Sequence, residues 1–146
     1  MYMQRLPMMH AKSFLFALDT VANCIRVLAE KSDATHKVQA VMQDWVATFP
    51  TVKGLRDTAH HMEDRARGLG RKDPLVLQPV NSQGINAPGG ALILDHLNGN
   101  TYGGTVFDGS YAEVEVSRTS LAMLGGLVQQ AIDAFEWEGW PQSVPT

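Results

Sequence analysis

Apolar residues recur every three or four positions over the first half of the chain and every second position over part of the second half. Phe14, Leu18, Val21, Ile25 and Leu28 draw one apolar edge along a helix spanning roughly residues 9–30. Ser32 or Asp33 can cap a second helix, in which Val38, Val41, Met42, Trp45, Val46 and Phe49 share a face until Pro50 stops it. The cleanest period belongs to a third helix opening near Thr51, with Val52, Leu55, Ala59, Met62, Ala66 and Leu69 on one side. Gly68, Gly70 and Pro74 end it.

After Pro74 the pattern changes. Residues 75–80 suit a strand, and 81–90 form a loop rich in Gly, Pro and Asn. Three further strands follow over 91–97, 101–107 and 111–117, joined at Asn98-Gly99-Asn100 and Asp108-Gly109, which are strong hairpin signals. Ala112, Val114 and Val116 alternate with Glu113 and Glu115, so the sheet is antiparallel with one face covered. Ser117 or Thr119 caps a final helix carrying Leu121, Leu124, Val128, Ala131 and Phe135. The Gly125-Gly126 pair inside it predicts close packing against another helix.

These patterns predict an α+β fold, a bundle of about four helices with an antiparallel β-meander inserted before the C-terminal helix. One domain covers 1–146: a three-helix part over 1–72, the meander over 73–117, and the last helix with an extended tail over 118–146.

Composition then narrows the function classes. Twelve basic and 15 acidic residues give a formal charge of -3, so no global basic field gathers nucleic acid or anionic lipid. A single cysteine, Cys24, excludes an intrachain disulfide, fits a reducing cytoplasm and reads as a small buried hydrophobe. No leader or membrane-length apolar run stands out, and no DNA-specific motif appears, so a cytoplasmic protein without membrane attachment is expected.

One stretch concentrates chemistry. Residues 55–65, LRDTAHHMEDR, hold two arginines, two histidines and three carboxylates. On a regular helix Arg56, His60, Glu63 and Arg67 form one row, and Asp57, His61, Asp64 and Arg65 another. Asp57, four residues before His61, is placed to orient the imidazole as a general acid or base, and a guanidinium such as Arg56 suits a phosphate oxygen. From Lys53 to Lys72, six basic residues stand against three acidic ones, so this segment is positive within a negative chain. The same face also reads as an ordinary solvated surface, or as a metal site built from Asp57, His60, His61 or Asp64, although no zinc-ligand spacing is present and no metal or cofactor is expected.

Arg56-Asp57-Thr58-Ala59-His60-His61 resembles the R-x4-6-H motif of the HEPN superfamily, whose helical bundles the first three helices also resemble. The resemblance implies a metal-independent endoribonuclease or an RNA-binding domain. Arg56 would bind the scissile phosphate and His61 assist attack by the 2′-hydroxyl, with Asp57 as the polar position and His60 as neighbour. Arg65, Arg67, Arg71 and Lys72 would hold the RNA. On an unbroken helix Arg56 and His61 lie about 140° apart. Catalysis would therefore need a homodimer, in which the motifs of two chains meet. The alternative is a non-catalytic helical dimerisation or interaction protein. Trp137 and Trp140 could stack on a base or anchor the last helix, His96 reads as a sheet histidine, and His10 and His36 show no partner.

Overall fold

Three alanines share the inward face with Leu15, Leu18 and Ile25 along the first helix of the computed structural model, which describes residues 5–138. In α1 (Leu6–Lys31) the buried row is Ala11, Leu15, Leu18, Ala22, Ile25 and Ala29. Phe14 and Val21 are half-buried and Leu28 is 37% exposed. The buried stripe thus sits one position round from the predicted one. Small side chains admit the closest approach, and the larger ones flank it. Cys24 falls outside the row and is exposed, contrary to its expected burial.

In α2 (Thr35–Thr48), Val38, Val41 and Trp45 are buried, and Phe49 stacks its ring 5.5 Å from that of Trp45. Neither Ser32 nor Asp33 caps this helix. Its N-cap is Ala34, and the Thr35 hydroxyl turns back to donate to the Ser32 carbonyl at 2.6 Å.

The expected long third helix is two helices. α3 (Val52–His60) stops at His61, whose φ of -115° and ψ of 43° leave the helical region, and α4 (Met62–Ala66) begins immediately afterwards. The His61 N–H still closes the last turn onto the Asp57 carbonyl at 2.9 Å. Beyond the break the inward residue is Arg65, while Ala66 is exposed. A buried polar anchor has overridden the apolar periodicity.

The chain after Pro74 carries more pairing than its composition suggests. Of the strand expected over 75–80, only Val80 is in a strand, and 75–79 are not. Val76 crosses the left-handed Gly109 (φ 85°), where any Cβ would collide with its carbonyl, and the Gln78 N–H donates to the Gly109 carbonyl at 2.9 Å. The predicted 81–90 loop contains a small hairpin, β1 (Val80–Ser82) with β2 (Ile85–Ala87). The meander is present as β3 (His96–Asn98), β4 (Thr101–Thr105) and β5 (Tyr111–Glu115), antiparallel in the order β3-β4-β5. At the β4–β5 turn the Ser110 hydroxyl and N–H hold the Asp108 carboxyl below its usual range. Tyr102 on β4 and Val114 on β5 face the buried side, and burial raises the Tyr102 phenol, whose hydroxyl donates to Asp95 at 2.8 Å. Lys12 pairs with the same carboxylate at 2.6 Å.

Among the described residues, those up to Phe16 together with Thr51–Val116 form one compact unit, and Ala17–Pro50 with those from Ser117 onward form another. The first holds α3, α4 and both sheets. In the second, α2 packs on α5 (Arg118–Asp133), which Ser117 caps by accepting the Ser120 N–H at 3.1 Å. The fold is therefore α+β, with antiparallel sheets preceding the C-terminal helix. No helix among the described residues is long and apolar enough to cross a membrane.

Gly125 and Gly126 do not mark a tight helix crossing, because a Cβ at either position would meet nothing within 4 Å. Burial along α5 runs through Ser120, Leu127 and Ala131 instead. Both glycines therefore cost helix propensity with no packing return. Gly126→Ala should raise stability by about 0.5–1 kcal/mol, read as a higher urea midpoint at unchanged m-value. A lower midpoint would show that the site is sterically closed.

Candidate functional site

The site grows from one buried cation. Arg65, 2% exposed, donates through Nε to the Thr58 hydroxyl at 3.3 Å and through Nη1 to the carbonyls of Leu69 at 3.0 Å and Gly70 at 2.5 Å. Thr58 in turn donates to the Thr105 carbonyl on β4 at 2.8 Å. The guanidinium thus ties α3 and the post-α4 loop to the meander. Gly70 completes the clamp: its N–H donates to Asp73, and a Cβ there would lie 2.6 Å from the Phe107 carbonyl oxygen.

The clamp shapes a polar cleft of about 280 Å³, lined by Asp57, His61, Asp64, Arg65, Gly70 and Arg71. Arg71 is pre-positioned in it. Its guanidinium carbon lies 4.0 Å from the centre of the Phe107 ring, and Nη2 lies 3.6 Å from the Asp57 carboxylate. The other oxygen of Asp57 meets Arg56 Nη1 at 3.3 Å, so one carboxylate serves two guanidiniums. Asp64 pairs with Arg67 at 3.5 Å. Lys72 is exposed beside Arg71.

The histidines depart from the helical-wheel expectation. The Asp57 carboxylate does not orient His61, because the helix ends at His60 and His61 leaves the i,i+4 row. The carboxylate nearest the His61 ring is Glu63, 3.9 Å from Nδ1. His60 is also exposed, its ring edge-on to that of His61 at 4.8 Å. His61, Glu63 and Asp64 offer donor atoms within 4.8 Å of one another, a set of hard and borderline ligands that leaves out Asp57 and His60.

A second polar cluster escaped the sequence reading. β4 pairing sets His96 opposite Gly103 and Gly103 opposite Glu113, and the Tyr111 phenol lies over the bare Gly103 backbone. His96 Nδ1 is 3.2 Å from the Tyr111 hydroxyl, and the Ser82 hydroxyl donates to the Glu113 carboxylate. Burial pushes the Tyr111 phenol up to about 12, helped by the charge of Glu113. The visible signal was glycine at a strand centre, which often marks a close approach. Its partner is set by register and cannot be read from spacing.

Comparison with protein-family models, curated proteins and solved structures finds no match to this chain. The site must therefore be argued from its own geometry. Away from it, Trp137 is 58% exposed, with Nε1 donating to the Ile132 carbonyl at 2.8 Å and its ring edge-on to Phe135, which makes it a helix-end anchor. Trp140 and the tail to Thr146 lie outside the described residues.

Arg65→Met removes the donor for two loop carbonyls. It should cost roughly 1.5–3 kcal/mol and speed amide exchange around residues 69–71, measured by urea unfolding and hydrogen exchange. Unchanged exchange there would remove the clamp from the account. For Tyr111, the folded phenol keeps its proton to about 12 whereas an ordinary one loses it near 10. The folded chain then binds more protons, so this contribution is complete below 10 and declines as pH rises through that window. Phenolate absorbance should show a component near 12 that vanishes in Tyr111→Phe and moves to lower pH in Glu113→Gln.

Proposed function

We propose that this protein is a homodimeric, HEPN-like RNA-binding protein that cleaves RNA without a metal ion. The observation that carries the reading is the placement of His61: the helix break leaves its imidazole on an open polar cleft shared with two arginines. Arg56 and Asp57 of the R-x4-H segment meet at one edge of this site. Together they offer a proton acceptor and phosphate-binding groups without the closed ligand set of a structural metal centre.

In the reaction that the resemblance implies, His61 takes the proton of a 2′-hydroxyl and the freed oxygen bonds to phosphorus. The P–O5′ bond breaks, the leaving 5′-oxygen takes a proton from water, and the hydroxide so formed takes back the proton held by His61. A 2′,3′-cyclic phosphate and a 5′-hydroxyl result, with no oxidant or metal required. The resemblance would give the scissile phosphate to Arg56, with Asp57 as the polar position and His60 beside the acceptor, while Arg67, Arg71 and Lys72 supply further cations for the RNA backbone. Arg65 supports this surface from beneath it, since its guanidinium is committed to the clamp.

Self-association draws support from the second unit. An apolar groove of about 480 Å³ runs between α1 and α5, lined by Val21, Cys24, Ile25, Leu28, Val128 and Phe135, with Trp137 at its rim. Such a groove favours burial against another apolar surface. It also favours a second reading, a non-catalytic dimerisation or interaction protein in which the charged face is solvated.

Cleavage of varied RNAs in EDTA decides between them. Wild type should cut, and Arg56→Ala and His61→Ala should each lose about 100-fold or more while remaining folded. Light scattering should give a dimer. An inactive wild type that is dimeric would leave the interaction reading in place, and activity that EDTA abolishes would shift attention to His61, Glu63 and Asp64.

A further inference from the structure

We propose that the His61 cleft is a phosphate-binding site complete within one chain, with Arg71, not Arg56, as the guanidinium that meets the phosphate. The inference deepens the preceding reading, on which it rests only in taking an RNA backbone as the bearer of that phosphate.

Three observations carry it. The first is charge. Arg65 is almost wholly buried, yet among the described residues no carboxylate pairs with it; its acceptors are a hydroxyl and two carbonyls. Buried charges are normally neutralised, and Arg65 lines a cleft in which a counter-charge can sit. The carboxylates on that wall are already engaged, Asp57 by Arg56 and Arg71, and Asp64 by Arg67. With Glu63 counted beside His61, four guanidiniums stand against three carboxylates, so the cleft and its rim keep one positive charge in excess.

The second is geometry. Arg71 lines the cleft together with His61, whereas Arg56 does not. Its planar face is held on Phe107 and one edge on Asp57, so its remaining donors are presented with little rotamer freedom left to lose. The third is support. The backbone that carries Arg71 is fixed at Gly70 by the Arg65 clamp and by contact with the Phe107 carbonyl, the neighbour on which Arg71 also stacks. A loop built this firmly around an exposed arginine is a ligand-binding arrangement, since a solvated arginine needs none of it.

The ligand class is a phosphate monoester or diester, small enough for about 280 Å³, and its two sources are free phosphate and a nucleic-acid backbone. The test measures binding by calorimetry, on the full chain, of two probes: inorganic phosphate and a 2′-O-methyl RNA hexamer, which cannot be cleaved. His61 imidazole resonances serve as a local reporter. Either probe should bind and shift His61. Arg71→Gln should weaken binding roughly tenfold or more, Arg71→Lys should fall between, and Arg56→Gln should change it less than Arg71→Gln. Hexamer binding with little phosphate binding assigns the site to a nucleic-acid backbone; the reverse assigns it to free phosphate, and both results support the cleft. The proposal is overturned if neither probe binds, if Arg71→Gln binds like wild type with unchanged spectra, or if Arg56→Gln alone abolishes binding. Probe binding without RNA cleavage would remove the ribonuclease reading and keep this one. Cleavage that is insensitive to Arg71 would do the opposite.

Discussion

A guanidinium buried without a carboxylate is the constraint on which this half of the molecule depends. Desolvating Arg65 is costly, and three hydrogen bonds to neutral acceptors recover part of that cost. The acceptors belong to two pieces of chain: Thr58 to α3, and Leu69 with Gly70 to the loop. Thr58 reaches on to Thr105, whose hydroxyl accepts the Ile93 N–H at 2.9 Å and whose N–H donates to the Ile93 carbonyl at 2.7 Å. A single cation therefore sets the spacing between a helix, a loop and the approach to β3.

Local signals survived wherever local energetics decide the outcome. Helical periodicity located α1, α2 and α5, and the Gly-containing turns located the three-stranded meander, because turn chemistry and alternation act within a few residues. Signals failed where a distant partner decides. The β1–β2 hairpin looked like a loop because it is short, because Asn81 and Asn86 are weak strand formers, and because Pro79 and Pro88 flank it. Cys24 looked buried because hydrophobicity was ranked above size, whereas α1 buries its alanines. The break in α3 was invisible because Met62, Ala66 and Leu69 keep the helical period perfectly well past it.

The candidate site divides along the same line. The density of charged and titratable groups in residues 55–65 was legible, since it needs no tertiary information. Which groups act together was not. Projection on a wheel paired Asp57 with His61, and instead Asp57 turns to Arg56 and Arg71 while Glu63 comes nearest the imidazole. Arg71 stands ten residues from His61, too far for helical spacing to join them, and Phe107 is farther still.

The consequence reaches the requirement for a second subunit. Two residues about 140° apart on a rigid helix can serve one phosphate only across an interface. Once the helix ends between them, that argument no longer holds, because the backbone of His61 is not set by the frame that carries Arg56. Arg71 then supplies a guanidinium on the same cleft wall through the loop and not through the helix. A dimer would still shield the cleft from water and lengthen the basic track, but the pairing of imidazole with guanidinium no longer depends on it. On the proposed phosphate site, a second subunit would bear on substrate length and stability, and the imidazole and guanidinium would come from one chain.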